Sequence, residues 1–318
     1  MIKMNNFIFK KKKNFKKYLI MNEFKKYIIL MLIKSILYII SIIGCLLFIL
    51  LYIYLIYRIK KKKAEQLNSK NIGLGTNYML MLIFSNIGGA MSELFLFYQV
   101  KEKNNNISDS LCCTIGFLRN YFELCSVSCI SMITFLFYKS TTPKNLNPKK
   151  DILHLFIGIF YSFILPLLFT LPPYFYNKFD YVGPKCSFTK EITIYGVLFT
   201  IYIIINGLLQ IFALYKSFIF YHHKLKLLKE QNIDEYNLLK IYVWIFLFFP
   251  IYLILSRSIK FISRLDSEVF LFIGECIFSL SGFFDSFICI FFLRGIIPCC
   301  KKKESRLIEN IKETPSKI

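Results

Sequence analysis

Seven long apolar blocks constrain this chain more than any other feature of its sequence. Each block holds 20 or more residues, which is enough for a helix to cross a hydrocarbon core about 30 Å thick. Hydrophobic residues make up 56% of the 318 positions, and a soluble fold gives no reason to gather them into seven blocks. The pattern predicts an all-α membrane protein, a seven-transmembrane helix bundle. The predicted spans are 27–57, 74–100, 111–138, 152–172, 191–221, 238–262 and 269–294.

The segments outside the spans divide the chain into three parts. Residues 1–26 form a basic N-terminal segment, 27–298 the transmembrane domain, and 299–318 a short cytoplasmic tail. The first segment has no apolar stretch long enough for a signal peptide. Seven of its nine lysines precede Met21. One hypothesis is therefore that translation begins at Met21 and that residues 1–20 are an extension of the gene model; the other keeps Met1.

The net charge of +22 first suggests a nucleic-acid partner. The charges, however, form short clusters beside the apolar blocks, such as 58–63 and 301–303. Lysine and arginine in such positions set the orientation of the spans and contact anionic headgroups. Membrane lipids are the expected partners of these charges, and nucleic acid is not.

The distribution of charge and one sequon favour an extracellular N-terminus. In that orientation the cytoplasmic segments, together with Lys240 and Arg294 at the cytoplasmic ends of spans six and seven, hold 21 Lys and Arg against 15 outside, a small margin in the direction of the positive-inside rule. The sequon at Asn106 then lies in an extracellular loop, where it can be glycosylated. The chain is thus expected to be a multi-pass plasma-membrane protein with its N-terminus outside.

Six ionisable residues lie in the outer halves of the predicted spans. Charged side chains within a membrane are costly and usually face the interior of a bundle, so these six are candidates for a ligand pocket. The alternative is that the three acids and three bases only pair with one another, and their balance leaves the charge of a ligand open. Lys34, near the start of span one, is expected to snorkel to the interface. The six candidates are Glu93, Arg119, Glu123, Arg257, Lys260 and Glu275.

Two further polar residues and one helix-breaking proline suggest an inner hydrogen-bond network and a helix kink. Asn86 and Asp285 lie at mid-bundle or below and are expected to form an inner polar network. Pro250 interrupts span six, and the resulting kink suits either a helix that swings or a static one. Cys299 and Cys300 precede three lysines, a pattern typical of juxtamembrane palmitoylation.

Four stretches in order resemble the slime-mould cyclic-AMP-receptor type of G-protein-coupled receptor, known as class E. CTIGFLRNYFELCSVSCISMITFLFY resembles that family's third helix, HLFIGIFYSFILPLL its fourth, and GPKCSF its second outer loop. SLSGFFDSFICIFFLRG resembles a seventh-helix pattern that is shared with secretin-type receptors. The sequence departs from the family pattern at Ser128-Cys129, Ser187 and Asp285.

The resemblance implies a receptor that passes the signal of a small extracellular ligand to a heterotrimeric G protein, with no cofactor. It also implies a disulfide between the top of span three and Cys186. The adjacent cysteines 112 and 113 leave the partner ambiguous from the residues alone, and the resemblance selects Cys113. The basic cytoplasmic segments either dock the G protein or only anchor the chain.

Other functional classes fit the sequence less well. A transporter or channel, the main alternative, needs broken helices, repeats or polar stripes through the whole span, and the inner halves here are mostly apolar. A retinal protein needs a lysine in span seven, and 269–293 has none. The chain lacks the motifs of hydrolases and nucleotide-binding enzymes and the Cys and His spacing of a metal site. We therefore predict a receptor that is not an enzyme.

Overall fold

Six helices and one β-hairpin make up the part of the chain that the structure describes. This computed structural model describes residues 29, 31–57, 73–102, 108–140, 148–181, 186–188, 194–230, 276–277 and 279–296. Predicted span six, 238–262, lies outside these residues. The helices are α1 (Met31–Tyr57), α2 (Gly73–Glu102), α3 (Asp109–Ser140), α4 (Pro148–Ile159, continued by a π turn Phe160–Ile164 and by Leu165–Phe175), α5 (Ile194–Glu230) and α6 (Ser281–Ile296).

The helices expose apolar residues and bury polar ones. Leu50, Met91, Phe156 and Tyr215 are each at least 60% exposed, as expected for side chains that face lipid. Within the described residues, the helical segments Met31–Tyr57, Asn77–Gln99, Leu153–Phe175 and Ile194–Phe220 are long and apolar enough to cross a membrane. The α3 helix is as long, with 32 residues, but it carries more polar residues. It is also the most central of the described helices, since α2, α4 and α5 all pack against it.

The largest apolar core of the described residues lies in the half of the bundle that contains the C-terminal end of α1 and the N-terminal end of α2. Cys45 and Phe48 of α1 pack there with Leu82 of α2, Ile130 of α3 and Ile288 of α6. These side chains come from four helices that are far apart in sequence. The core therefore fixes α1, α2, α3 and α6 as one bundle, and it lies beneath the polar groups described below.

A π turn interrupts α4 because of a proline that follows it. Pro166 has no N–H to bond the carbonyl four residues earlier, at Ser162, and its ring crowds that carbonyl. The helix widens instead: the Leu165 N–H bonds to the Phe160 carbonyl, five residues back. This extra residue in the turn changes the direction of the residues around it, including Tyr161.

A short hairpin follows α4 and covers the N-terminal end of α3. Its strands, β1 (Phe179–Tyr181) and β2 (Cys186–Phe188), pair antiparallel with Phe179 opposite Phe188. Phe179 is buried, and its ring packs against Gly116 of α3. A disulfide joins Cys186 to Cys112.

The predicted pairing of Cys186 with Cys113 is therefore wrong. Successive residues of a helix point about 100° apart, so only one of two adjacent cysteines can face the hairpin. That residue is Cys112. The Cys113 thiol instead points toward α4, where it lies 3.6 Å from the Tyr174 carbonyl oxygen.

Replacing Gly158 by alanine is expected to destabilise the fold by about 1–3 kcal/mol. A Cβ at Gly158 would overlap the hydroxyl and ring of Tyr78, which is fully buried and donates a 2.7 Å hydrogen bond to the His154 carbonyl. Gly207→Ala is the matched control, because a Cβ there meets nothing within 4 Å. Thermal unfolding in detergent compares the two variants. Equal midpoints would contradict a close contact between α2 and α4.

Candidate functional site

A polar cavity lies between α1, α2, α3 and α6 near the middle of the bundle. Its volume is about 20 Å³, measured over the positions that the centre of a water molecule can take. This is room for one or two water molecules, and ligand pockets are usually at least about 300 Å³. The cavity is therefore too small to hold a ligand of ordinary size by itself. It is lined by Tyr38, Ser41, Ser85, Asn86, Gly89, Ala90, Arg119, Phe122, Glu123, Ser126, Ser279 and Ser281.

A buried ion pair lies beside the cavity on the side nearer the hairpin. Arg119 of α3 pairs through Nε with Oε1 of Glu93 on α2, and each side chain is about 5% exposed or less. Arg119 itself lines the cavity. One helical turn below it, Glu123 lines the same cavity and is 4% exposed. The structure therefore brings together three of the six candidate pocket residues.

A hydrogen-bond chain across three helices forms the opposite side of the cavity. Asn86 Nδ2 of α2 donates to Asp285 Oδ2 of α6 at 2.6 Å. Ser126 of α3 donates to Asn86 Oδ1 at 3.1 Å. Asp285 is fully buried, so the amide of Asn86 replaces part of its lost hydration. The two residues of the predicted inner network are in direct contact, and Ser126 extends that network to α3.

Close packing around Gly282 holds the hydrogen bonds between Ser126, Asn86 and Asp285 in place. A Cβ at Gly282 of α6 would overlap the Ser41 hydroxyl and come within 3.2 Å of Asn86. On the next face of α6, the Ser286 hydroxyl donates to the Gly282 carbonyl at 2.6 Å and lies 3.4 Å from the Cys45 sulfur. Small residues allow helices in membranes to approach this closely. The approach places Asp285 within reach of α2.

A glycine pair also seats an aromatic ring of the cavity wall. Phe122 of α3 lies against Gly88 and Gly89 of α2, and a Cβ at Gly88 would come within 2.5 Å of the ring. Tyr121, the preceding residue, contacts the Phe122 ring with centroids 5.3 Å apart. The ring closes one side of the cavity with an apolar surface.

Several residues of the cavity were not predicted from the sequence. Tyr38 and Ser41 of α1 and the two serines before and at the start of α6 carry no charge, so they did not stand out in apolar spans. Lys34 was expected to snorkel, but it is 5% exposed, so it faces protein instead. It lies one turn from Tyr38, on the side of α1 that lines the cavity.

The remaining predicted site residues lie outside the described part of the chain. They are Arg257, Lys260, Glu275, Pro250, Asn106, Cys299 and Cys300. Among the described residues no group of three or more His, Cys, Asp or Glu side chains is arranged to hold a metal ion.

Comparison with solved structures identifies the architecture. The chain is similar to the crystal structure of squid rhodopsin, with a TM-score of 0.59 over 92% of each chain at 14% sequence identity. The chain has a rhodopsin-like fold. Together with the apolar helices, the rhodopsin-like fold makes this a multi-pass membrane protein. No protein-family model and no curated protein sequence matches the chain.

Proposed function

We propose that this protein is a cyclic-AMP-receptor-like G-protein-coupled receptor of the plasma membrane, with its N-terminus outside. One observation carries the proposal. A polar cavity in the middle of a rhodopsin-like bundle has a buried ion pair on one side and the Asn86–Asp285 bond on the other. Buried polar groups at this depth are costly, which favours a functional role over a purely structural one.

The proposed mechanism is a two-state shift of the bundle. A small extracellular ligand binds above the cavity, against Arg119 and Glu123 of α3. A displacement of α3 changes the bond from Ser126 to Asn86 and hence the bond from Asn86 to Asp285 of α6. The inner ends of the helices then rearrange, and the basic cytoplasmic segments dock a heterotrimeric G protein.

The ion pair bears on the chemistry of the ligand. An anionic ligand such as a cyclic nucleotide would require a cationic anchor without a Glu partner. Arg119 is paired with Glu93, and breaking that pair would leave a buried carboxylate without its partner. A phosphate anchored by Arg119 is therefore disfavoured. We expect the groups of Arg119 and Glu123 to meet polar, uncharged parts of the ligand.

Ligand-stimulated nucleotide exchange tests the proposed function. The chain is reconstituted in lipid nanodiscs with a panel of Gα subunits and Gβγ, and GTPγS uptake is measured with cyclic AMP and with a library of small polar molecules. At least one ligand is expected to raise the exchange rate, and Gly207→Ala is expected to respond like the parent chain. Solute flux in vesicles, with no exchange for any ligand, would instead show a transporter or channel.

A further inference from the structure

A second polar network lies on the opposite side of α3 from the cavity. Tyr202, Asn206 and Gln210 of α5 recur every fourth residue, which places them on one helical face. All three are at most 5% exposed. They meet Ser128 and Ser131 of α3 in the described inner half of the bundle. We call these five residues, together with Tyr161 of α4, the polar ladder.

Each rung of the polar ladder is a short hydrogen bond between helices. The Ser128 hydroxyl donates to the Leu124 carbonyl at 2.8 Å, so the Tyr202 hydroxyl donates to Ser128, at 2.6 Å. Ser131 donates to Asn206 Oδ1 at 2.8 Å. Gln210 Nε2 donates to the Ser131 hydroxyl at 2.9 Å and lies 3.2 Å from the Val127 carbonyl.

The π turn of α4 supplies the third helix of the polar ladder. Tyr161 lies within that turn and donates to Asn206 Oδ1 at 2.7 Å. Asn206 is thus the central residue: it accepts from α3 and α4 and donates to the Tyr202 carbonyl of its own helix at 3.0 Å.

The apolar surroundings of the polar ladder favour a single rotation of α5 about its own axis. The outward faces of α5 are apolar, with Leu208 and Phe212 more than half exposed. Rotation of α5 would move Asn206 and Gln210 toward lipid, where their polar groups would lose partners that water cannot replace. Apolar packing alone tolerates several rotations of a helix, whereas these bonds permit one.

We infer that the polar ladder is a latch that holds α5 in one rotational position against α3 and α4. Loss of a rung lets α5 occupy a second position while the bundle stays folded. The consequence for signalling rests on the proposed receptor function: since α3 also carries Ser126 and Glu123 on its other face, a shift of α3 reaches the latch and the cavity together. An opened latch raises nucleotide exchange in the absence of ligand.

The latch is tested by distance measurement on the full chain in nanodiscs. Spin labels are attached through genetically encoded ketone amino acids at Phe135 of α3 and Tyr215 of α5, which are both exposed, so the native cysteines stay unlabelled. The test variants are Asn206→Leu and Tyr161→Phe. The matched control is Ser217→Ala, which removes a buried hydroxyl that bonds only the Ala213 carbonyl of the same helix.

The parent and Ser217→Ala are expected to give one main distance between the labels. Each lost rung is expected to raise the share of a second distance by about threefold to twentyfold, the range that interhelical hydrogen bonds in membranes produce. A single unchanged distance in folded Asn206→Leu and Tyr161→Phe would overturn the latch. If Asn206→Leu does not fold, Tyr161→Phe and Ser128→Ala decide the question.

Nucleotide exchange without ligand is measured on the same variants. The expected result is a rise in the variants that show the second distance, and none in Ser217→Ala. If no variant and no ligand produces exchange while the second distance appears, the latch stands and the proposed receptor function fails. A rise in exchange without a second distance would contradict the latch alone.

Discussion

Replacing Arg119 by methionine is expected to lower the free energy of unfolding by about 3–5 kcal/mol. The substitution keeps the size of the side chain but leaves the Glu93 carboxylate, about 5% exposed, without its ion-pair partner. Removing one member of a buried pair costs more than removing both, because the remaining charge stays buried. Unfolding of the detergent-solubilised chain in a titration with SDS measures the effect.

The double variant Glu93→Gln, Arg119→Met is the matched control for this prediction. It removes both charges, so it is expected to recover most of the stability that the single variant loses. Glu93→Gln alone removes one carboxylate partner of Arg119 and is expected to fall between the two. A double variant as unstable as Arg119→Met would show that packing of the arginine stem, rather than the charge pair, stabilises this region.

Replacing Cys112 by serine is expected to cost about 2–4 kcal/mol, since it opens a bridge that closes a long loop. The bridge spans 74 residues of sequence and ties the hairpin to α3. Cys113→Ser is the matched control on the neighbouring residue. A serine hydroxyl there can still donate to the Tyr174 carbonyl, so stability is expected to be nearly unchanged.

Thermal unfolding under non-reducing conditions compares the two serine variants. Peptide mapping of the native chain identifies the partner of Cys186 directly. A peptide that links Cys186 to Cys113, or a larger loss of stability in Cys113→Ser than in Cys112→Ser, would contradict the pairing in the structure.

Hydropathy predicted the positions of the helices well, because the thickness of a membrane fixes how long an apolar block must be. The α2 and α3 helices extend only one or two residues beyond the predicted spans at either end. The cost of burying charge likewise led from sequence to Arg119, Glu123 and Glu93. These inferences depend on one residue at a time and need no knowledge of which helices are neighbours.

The features that the sequence did not predict depend on the direction of a side chain. Whether Cys112 or Cys113 meets Cys186 is decided by the position of the hairpin over α3. Lys34 was expected at the interface because its helix begins nearby, yet its side of α1 faces protein. Neither outcome can be derived from spacing along one helix, since both depend on the rotation of that helix in the bundle.

The polar ladder had a sequence signal that was not used. Tyr202, Asn206 and Gln210 are polar residues four apart in an apolar span, and such a stripe indicates a face buried against other helices. Its partners could not be read from the sequence, because Ser128 and Ser131 resemble the small residues of any packing seam. Tyr161 reaches Asn206 from a π turn, whose extra residue changes the helical spacing.

The most direct test of the account is ligand-stimulated nucleotide exchange in a Ser126→Val variant beside the parent chain. Valine cannot donate to Asn86 and fills part of the cavity that Ser126 lines. Ser217→Ala serves again as the control, since its hydroxyl lies away from the cavity. The account predicts that a ligand raises exchange in the parent and the control, and that Ser126→Val loses most of this stimulation while it stays folded. Full stimulation in Ser126→Val would contradict the account.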